Sequence, residues 1–213
     1  MVQKERLLFK TYCFIIFAIV FSSCKKTTKL ADINTATLVV DISKIPHDTI
    51  SSEDKNLKLD NGVVYLNNTV FSGFVKEKHS PTKVKAVFCF LNGKQHGETK
   101  SYFSNGKLKD SRTYKEGKSY GRQYGYWENG HQKFDFIYIN DKREGLQKQW
   151  YESGQKYAFL TFKNDQEDGM QKAWRENGKP YINYEAKEGH RYGLQKSNYC
   201  YTLKDQKIKL SGK

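Results

Sequence analysis

The sequence predicts an all-β protein, an elongated antiparallel β-meander built from 24-residue β-hairpin repeats. Three observations predict this fold: a composition rich in aromatic residues and glycine, glycines that recur every 24 residues, and two turn signals in each repeat. Aromatic residues make up 15% of the 213 residues and Met occurs only twice, which favours strands over a helical bundle. A mean hydropathy of −0.82 excludes a polytopic membrane protein.

Residues 1–23 have the organisation of an export signal. Three basic residues within positions 1–12 precede the apolar run Cys13 to Phe21, as in the n-region and h-region of a signal peptide. The run is about half the ~20 residues that a membrane-spanning helix needs. Phe21-Ser22-Ser23-Cys24 resembles a bacterial lipobox, which implies that Cys24 is lipidated and becomes the first residue of the mature chain. Simple secretion without lipid is the alternative.

The segment between the signal and the repeats is divided into a tether and an N-terminal region. Residues 24–37 are polar and are predicted to tether the protein to its lipid. Residues 38–61 are predicted to contain a strand from Leu38 to Ile45, followed by a loop from Pro46 to Asn56. The repeats are assigned to residues 62–203, starting with a hairpin of Val63 to Leu66 and Thr69 to Val75 around Asn67-Asn68.

Recurring residues define the repeat. The first set of glycines is Gly73, Gly97, Gly121, Gly145, Gly169 and Gly193, and the second set is Gly106, Gly130, Gly154 and Gly178. Aromatic residues and glutamines recur with the same period, for example Tyr102, Tyr126, Trp150 and Trp174, and Gln123, Gln147, Gln171 and Gln195. A fixed period of this length indicates a repeat architecture.

Each repeat carries two turn signals, which makes successive strands antiparallel. The first is Asn105-Gly106 and its equivalents Asn129-Gly130, Ser153-Gly154 and Asn177-Gly178, predicted to be two-residue type I′ turns. The second is Asn92-Gly93 and its equivalents Glu116-Gly117, Asn140-Asp141, Asn164-Asp165 and Glu188-Gly189. At about 4.8 Å between strands, the five units from Gly73 to Tyr192 should form a sheet ~50 Å long.

A hairpin closed on Asn105-Gly106 fixes which residues share a face. Tyr114 then lies opposite Gly97, and this face, with Phe134, Phe136, Tyr138, Leu160 and Phe162 in later repeats, is the predicted core. The glycine is predicted to leave room for the ring opposite. The other face pairs Tyr102 with Lys109, Tyr126 with Lys133, Trp150 with Tyr157 and Trp174 with Tyr181. Because the two strands of a unit differ by two residues, a stagger or a bulge near the glycine must absorb the difference.

Charge and cysteines describe the mature chain. Removal of residues 1–23 takes away three basic residues and one acidic residue, so the net charge falls from +14 to +12. Such a surface suits anionic partners, or it only keeps the protein soluble. Cys89 and Cys200 lie near opposite ends of the predicted sheet, so two free thiols are predicted. Residues 204–213 form a basic tail that is predicted to fray.

The tandem motifs resemble a known repeat. Tyr-Phe-Ser-Asn-Gly-Lys (102–107), Tyr-Trp-Glu-Asn-Gly (126–130), Trp-Tyr-Glu-Ser-Gly-Gln (150–155) and Trp-Arg-Glu-Asn-Gly-Lys (174–179) resemble the bacterial variant of the MORN repeat. Proteins of this kind are grouped with the YwqK antitoxin-like family. The resemblance covers about residues 62–199 and implies a scaffold that binds a partner, in an antitoxin its toxin.

The sequence offers a binding face rather than a catalytic site. The five His residues show no ligand spacing, and Glu128, Glu152 and Glu176 each precede a turn, so no metal, cofactor or catalytic residue is predicted. The candidate binding face consists of Tyr126, Lys148, Trp150, Tyr157, Lys172, Trp174, Tyr181 and Lys196. The alternative is that these rings only stabilise the sheet through cross-strand pairs.

These predictions describe a non-catalytic, lipid-anchored protein of the bacterial envelope that faces the periplasm and binds another macromolecule along a flat face. A protein partner is expected, a glycan is a further candidate, and an exported chain seldom meets nucleic acid. The alternative function is that of an antitoxin or immunity protein that neutralises a toxin.

Overall fold

The computed structural model describes residues 38–195 and the backbone of two short strands at residues 202–204 and 207–209. The signal peptide (1–23), Cys24, the tether (24–37), Lys196, Cys200 and the rest of the tail lie outside the described residues. The described part is all β, with no helix, which confirms the predicted fold class. None of its segments is a helix long and apolar enough to cross a membrane.

Twenty strands make up the described structure. They are β1 Thr49–Ser51, β2 Leu57–Asp60, β3 Val63–Leu66, β4 Thr69–Val70, β5 Gly73–Ser80, β6 Lys83–Leu91, β7 Lys94–Gln95, β8 Gly97–Tyr102, β9 Leu108–Lys115, β10 Lys118–Ser119, β11 Gly121–Tyr126, β12 Gln132–Ile139, β13 Lys142–Arg143, β14 Gly145–Trp150, β15 Lys156–Lys163, β16 Gln166–Trp174, β17 Pro180–Lys187, β18 His190–Leu194, β19 Thr202–Lys204 and β20 Lys207–Lys209.

The repeats form one meandering sheet whose strand order follows the chain. The order is β1-β5-β6-β8-β9-β11-β12-β14-β15-β16-β17-β18, and the short strands β7, β10 and β13 pair with β6, β9 and β12. Only the β1–β5 pair is parallel. Strands β2, β3 and β4 form a separate three-stranded sheet, and β19 pairs with β20. The predicted antiparallel meander is therefore confirmed.

The N-terminal region differs from the prediction. The expected strand from Leu38 to Ile45 is wrong: the Ser43 N–H donates to the Asp41 carboxylate (2.9 Å) and the Ile45 N–H to the Ile42 carbonyl (3.0 Å), which closes a turn. An Asp side chain that binds the backbone two residues on competes with strand formation. The predicted loop from Pro46 to Asn56 contains β1. The turn at Asn67-Asn68 is confirmed, but the second strand of this hairpin ends at Val70, and Gly73 to Val75 belong to β5 of the main sheet.

The tail also departs from the prediction. Residues 204–213 were expected to fray without regular structure, whereas β19 and β20 pair as a hairpin that places Lys204 opposite Lys207. Residues 205 and 206 lie outside the described part.

The turn at Asn105-Gly106 is not the predicted type I′ turn. Asn105 does not have positive φ, and only Gly106 does (+85°). The Gly106 N–H donates to the Phe103 carbonyl and the Phe103 N–H to the Lys107 carbonyl, both at 2.9 Å, so the loop has three residues, as in a type I turn followed by a glycine bulge. The Asn105 side chain accepts the Lys107 N–H (2.9 Å), which favours this loop over the type I′ turn.

Type I′ geometry occurs at the opposite turns instead. Both central residues have positive φ at Asn92-Gly93 (50° and 74°) and at Asn140-Asp141 (51° and 67°), as a type I′ turn requires. The equivalent turns at Glu116-Gly117, Asn164-Asp165 and Glu188-Gly189 share this conformation.

The three-residue loops change the register near the hairpin ends. Gly97 pairs with Tyr114, as predicted, and the same holds for Gly121 with Tyr138 and Gly145 with Phe162. A one-residue bulge then shifts the last pairs, so the four predicted aromatic pairings are wrong. The observed pairs are Tyr102 with Leu108, Tyr126 with Gln132, Trp150 with Lys156 and Trp174 with Pro180.

A second bulge, at Gly97 of the first set of glycines, absorbs the two-residue difference in length between the two strands of a unit. Val87 pairs with Lys100 and Phe90 with Gln95, so two residues of β6 face the four residues 96–99. Gly97 lies in this bulge with a φ of +86°, and a Cβ there would lie 2.8 Å from Ile42 Cγ2. The glycine is therefore required by backbone conformation and by the approach of residues 38–48 (the N-terminal strap), and not by the ring opposite as predicted.

The recurring glutamines satisfy the backbone at these bulges. Gln147 Nε2 donates to the Ile137 carbonyl (3.1 Å) and Gln147 Oε1 accepts the Ile137 N–H (3.2 Å). Gln171 Nε2 donates to the Thr161 carbonyl (2.7 Å) in the same way. Buried backbone groups that a bulge leaves unpaired need such partners. This accounts for Gln147 and Gln171, whereas Gln123 Nε2 has no hydrogen-bond partner in the described residues.

The two faces of the sheet are named by these residues. The glutamine face carries Gln147, Ala158, Phe162, Gln171, Ala173 and Tyr184, all buried. It is the predicted core face, although amides and small residues occupy its most buried positions and most of its rings are only half-buried. The tryptophan face carries Lys148, Trp150, Phe159, Lys172 and Trp174. A separate apolar cluster of Val64, Phe71 and Val75 lies at the N-terminal end.

Candidate binding face

Strand register places four of the predicted binding residues side by side on the tryptophan face. Lys148 on β14 pairs with Phe159 on β15, which pairs with Lys172 on β16. Trp150 and Trp174 lie two residues further along β14 and β16 and so point to the same side. The result is a row of alternating cation and ring beside a pair of indoles.

Phe159 lies between the two indoles and fixes them. Its ring centroid is 5.4 Å from that of Trp150 and 5.5 Å from that of Trp174, with interplanar angles of 74° and 84°. Such edge-to-face contacts stabilise aromatic pairs by roughly 0.5–1.5 kcal/mol beyond area burial. Lys156 Nζ lies 5.5 Å from the Phe159 centroid and 5.8 Å from that of Trp174. The three rings are half-buried, so each keeps surface for a ligand.

The lysines of this row have no acidic partner among residues 38–195. Neither Lys148 nor Lys172 forms an ion pair there, whereas Lys100 on the same face binds Glu98 at 2.8 Å. The hydrogen bond that Lys100 donates to the Glu98 carboxylate raises the pKa of Lys100. Arg122 is similarly held by Asp135 at 2.7 Å, which raises the pKa of the guanidinium. On this face, Lys100 and Arg122 of the N-terminal units are therefore paired with carboxylates, whereas Lys148 and Lys172 have no acidic partner within residues 38–195.

Exposed aliphatic and aromatic side chains extend the same face. Leu146 is 39% exposed, Met170 42%, Leu194 43% and Tyr192 60%. Tyr192 pairs with Glu185, which pairs with Met170, and Leu194 pairs with Asn183, which pairs with Lys172. The exposed Glu185 and Asn183 thus separate Tyr192 and Leu194 from Met170 and Lys172. Exposed apolar side chains grouped on one face mark interaction surfaces.

The other predicted residues lie apart from this row. Tyr157 contacts the ring of Tyr151 (centroids 5.0 Å apart), and Tyr181 lies beneath Arg175. Burial, together with a hydrogen bond with Tyr157, raises the pKa of Tyr181 to about 12. Tyr126 has Tyr124 as its ring neighbour, at 6.1 Å, and Lys196 lies outside the described residues. Of the predicted set, Lys148, Trp150, Lys172 and Trp174 thus lie together, and Tyr157 and Tyr181 contact each other elsewhere. Tyr126 lies apart from both groups.

Phe159, Leu146 and Met170 were not predicted as part of the face. Phe159 falls at a position where the other repeats carry Ser111, Asp135 and Asn183, so a search for recurring residues passes over it. The hairpin register, which places residue 159 opposite Lys148, is the signal that identifies it.

A cleft of about 540 Å³ lies elsewhere on the sheet, lined by residues that include Phe103, Arg112, Trp127, Lys133 and Phe134. Lys133 Nζ covers the Trp127 ring at 4.2 Å, and Arg112 binds Asp110 at 3.1 Å. The chain's own cations therefore occupy these ring surfaces, and the cleft is a poorer candidate. Within residues 38–195 no group of three or more His, Cys, Asp and Glu side chains is arranged to hold a metal ion.

No family model matches the chain, and neither the curated proteins nor the solved structures contain a match to it.

Proposed function

We propose that this chain is a non-catalytic, lipid-anchored protein of the bacterial envelope whose MORN-variant repeats bind another protein through the tryptophan face. The observation that carries the proposal is the row of Lys148, Phe159 and Lys172, in which two cations that have no acidic partner within residues 38–195 flank a half-buried ring. Tryptophan is among the residues that contribute most to the energetics of protein interfaces, and Trp150 and Trp174 lie beside this row. The face needs no catalytic group to act as a scaffold.

The test uses the double variant Trp150→Ala, Trp174→Ala in cells from which partners are recovered by cross-linking and mass spectrometry. The matched control removes two half-buried rings from the opposite face, Phe136→Ala and Tyr138→Ala. A double variant that melts cooperatively but loses a partner retained by the control supports the binding face. A variant that unfolds indicates that the indoles are structural, and a folded variant that retains its partners contradicts the proposal.

The envelope location rests on residues 1–24. Metabolic labelling with a palmitate analogue should mark the wild type and leave Cys24→Ala unlabelled. Equal labelling of both proteins contradicts lipidation at Cys24. Protease added to intact cells should leave the protein uncut if it faces the periplasm.

The motif resemblance favours a second candidate function, an antitoxin or immunity protein. A toxin encoded by a neighbouring gene would then be inhibited by the purified chain, and the Trp150→Ala, Trp174→Ala variant would fail to inhibit it. Retention of the chain on a polysaccharide column, with no protein partner recovered, would instead indicate glycan binding.

A further inference from the structure

We infer that the tryptophan face receives an amphipathic helix with acidic residues along one flank, lying across strands β14 to β16. The inference rests on the proposed function and specifies the chemistry of the partner. It is argued from the spacing of the free lysines, from the exposed apolar side chains beside them, and from the charge pattern of the rest of the face.

The spacing of the lysines matches a helix laid along the sheet axis. Lys148 and Lys172 are separated by the single strand β15, and two steps between strands cover about 9.6 Å. Two turns of an α-helix advance about 10.8 Å. Acidic side chains seven residues apart on one flank of a helix would therefore meet successive lysines.

The apolar side chains match the buried stripe of such a helix. Leu146 and Met170 occupy β14 and β16 on one side of the lysine row, and Trp150 and Trp174 occupy the same strands on its other side. Apolar residues at i, i+3, i+4 and i+7 of an amphipathic helix form a stripe of this kind. The exposed Leu and Met side chains offer no hydrogen bond to a sugar hydroxyl, so this face suits a helix better than a glycan.

The charge pattern confines the helix to the C-terminal units. Arg122 is bound to Asp135 by two hydrogen bonds of 2.7 and 3.2 Å, and Lys100 is bound to Glu98. An acidic helix placed over those units would approach Glu98 and Asp135, and like charges brought together oppose association. Over β14 to β16, Phe159 stands where Asp135 stands one repeat earlier. On β17 the exposed carboxylate of Glu185 pairs with Met170, so it bounds the helix on the other side.

The test measures the affinity of two synthetic 21-residue helical peptides for the purified chain by isothermal titration calorimetry. Both peptides carry leucines at heptad positions a and d. The acidic peptide carries glutamate at g, and the basic peptide carries lysine there. We expect the acidic peptide to bind, and Lys148→Glu with Lys172→Glu to weaken it at least ~10-fold because charges facing each other across an interface are reversed. The same double variant should bind the basic peptide at least ~10-fold more tightly than the wild type does.

Lys118→Glu with Lys142→Glu is the matched control, because it makes the same change in net charge at exposed turn positions. The control should leave both affinities within about twofold. Failure of the acidic peptide to bind, equal effects of the two double variants, or no gain of basic-peptide binding would each overturn the inference. Tighter binding of polygalacturonate than of the acidic peptide would overturn it in favour of a glycan. Partner capture that depends on Trp150 and Trp174 tests the proposed function separately, since it does not require the partner to be helical.

Discussion

The N-terminal and C-terminal repeat units share one backbone but present different chemistry on the tryptophan face. Glu98 and Arg122 occupy the position that Leu146 and Met170 occupy in later units, and Asp135 occupies that of Phe159. The first units therefore carry ion pairs, such as Arg122 with Asp135, where the later ones carry apolar side chains and free lysines. A repeat can thus keep its fold while confining a binding surface to some of its units.

The two ends of the sheet differ in a second respect. At the N-terminal end the strap approaches the grid glycines: Ile42 lies against Gly97, and Leu38 against Gly121. Gly97 and Gly121 are buried, whereas Gly193 in the last strand is exposed. All five residues of β18 are exposed as well. The end that the strap covers and the candidate binding end are therefore different regions.

The largest expected effect is a loss of stability caused by a substitution beneath the N-terminal strap. Gly97→Val should lower the free energy of unfolding by about 2–5 kcal/mol, because an L-residue in the left-handed region costs roughly 1–2 kcal/mol and overpacking adds roughly 1–3. The added side chain would meet Ile42 and Cys89. Urea denaturation followed by Trp fluorescence measures the change.

Gly106→Ala is the control for that prediction, since its φ is +85° but a Cβ there meets nothing within 4 Å. We expect a loss of only about 1–2 kcal/mol for this variant. Equal losses for the two variants would show that the strap does not pack on Gly97 in solution.

The second prediction concerns Cys89 beneath the strap. Burial raises the pKa of this thiol from 9.0 to about 11. In a Cys200→Ser background at pH 8, native Cys89 should therefore react with iodoacetamide about 100-fold more slowly than in urea, because the thiolate is the nucleophile. Because the pKa is raised in the folded state, the contribution of Cys89 to the free energy of unfolding is fully present below about pH 9. It decreases as the pH rises towards 11.

Loosening of the strap would expose the thiol and remove most of this protection. The Gly97→Val variant should therefore react faster than the wild type under native conditions. If Gly97→Val is less stable but its Cys89 reacts with iodoacetamide as slowly as in the wild type, the strap is not what protects Cys89.

The third prediction compares two units at one repeat position. Gln147→Leu should cost about 1–3 kcal/mol, because the Ile137 N–H would lose its partner and the Ile137 carbonyl would keep only the Glu144 N–H. Gln123→Leu should cost less, because Gln123 Nε2 has no hydrogen-bond partner in the described residues. Chemical denaturation of both variants decides, and an equal or larger loss for Gln123→Leu would contradict the role given to the amide.

Much of this architecture is readable from the sequence, because the repeat multiplies each signal. The grid of Gly97 and its equivalents predicts the period, the meander and the register of the central pairs. The turn at Asn105-Gly106 was assigned wrongly because an Asn-Gly pair fits both a type I′ turn and a type I turn with a glycine bulge, and the choice depends on the local hydrogen bond to Lys107. Because of that one-residue difference, the cross-strand partner of Trp150 is Lys156 and not the predicted Tyr157.

The candidate binding face was only partly predictable, because not all of its residues recur in the repeat. Trp150, Trp174 and the two lysines recur and were found, whereas Phe159 does not recur. Ion pairing of Arg122 with Asp135 depends on positions 13 residues apart in sequence that a bulged hairpin brings together. Sequence periodicity therefore identifies the scaffold more readily than the residues that make one unit different from the next.

The smallest expected effect compares the charges of the two regions directly. Arg122→Ala removes a two-point ion pair with Asp135, and pairs at exposed sites are worth roughly 0.2–1 kcal/mol. Lys148→Ala removes no ion pair within the described residues, so the change should stay within about 0.5 kcal/mol of zero. Thermal melts at low salt should therefore show a loss for Arg122→Ala that exceeds that for Lys148→Ala.

The salt dependence supplies the control for this comparison. At 1 M salt the screening length falls to about 3 Å, so the difference between the two variants should shrink as the ion pair of Arg122 weakens. A salt-sensitive loss of stability in Lys148→Ala would mean that this lysine has an acidic partner within the folded chain. It would then be no more available to an external partner than Arg122 is, and the distinction between the two halves of the face would fail.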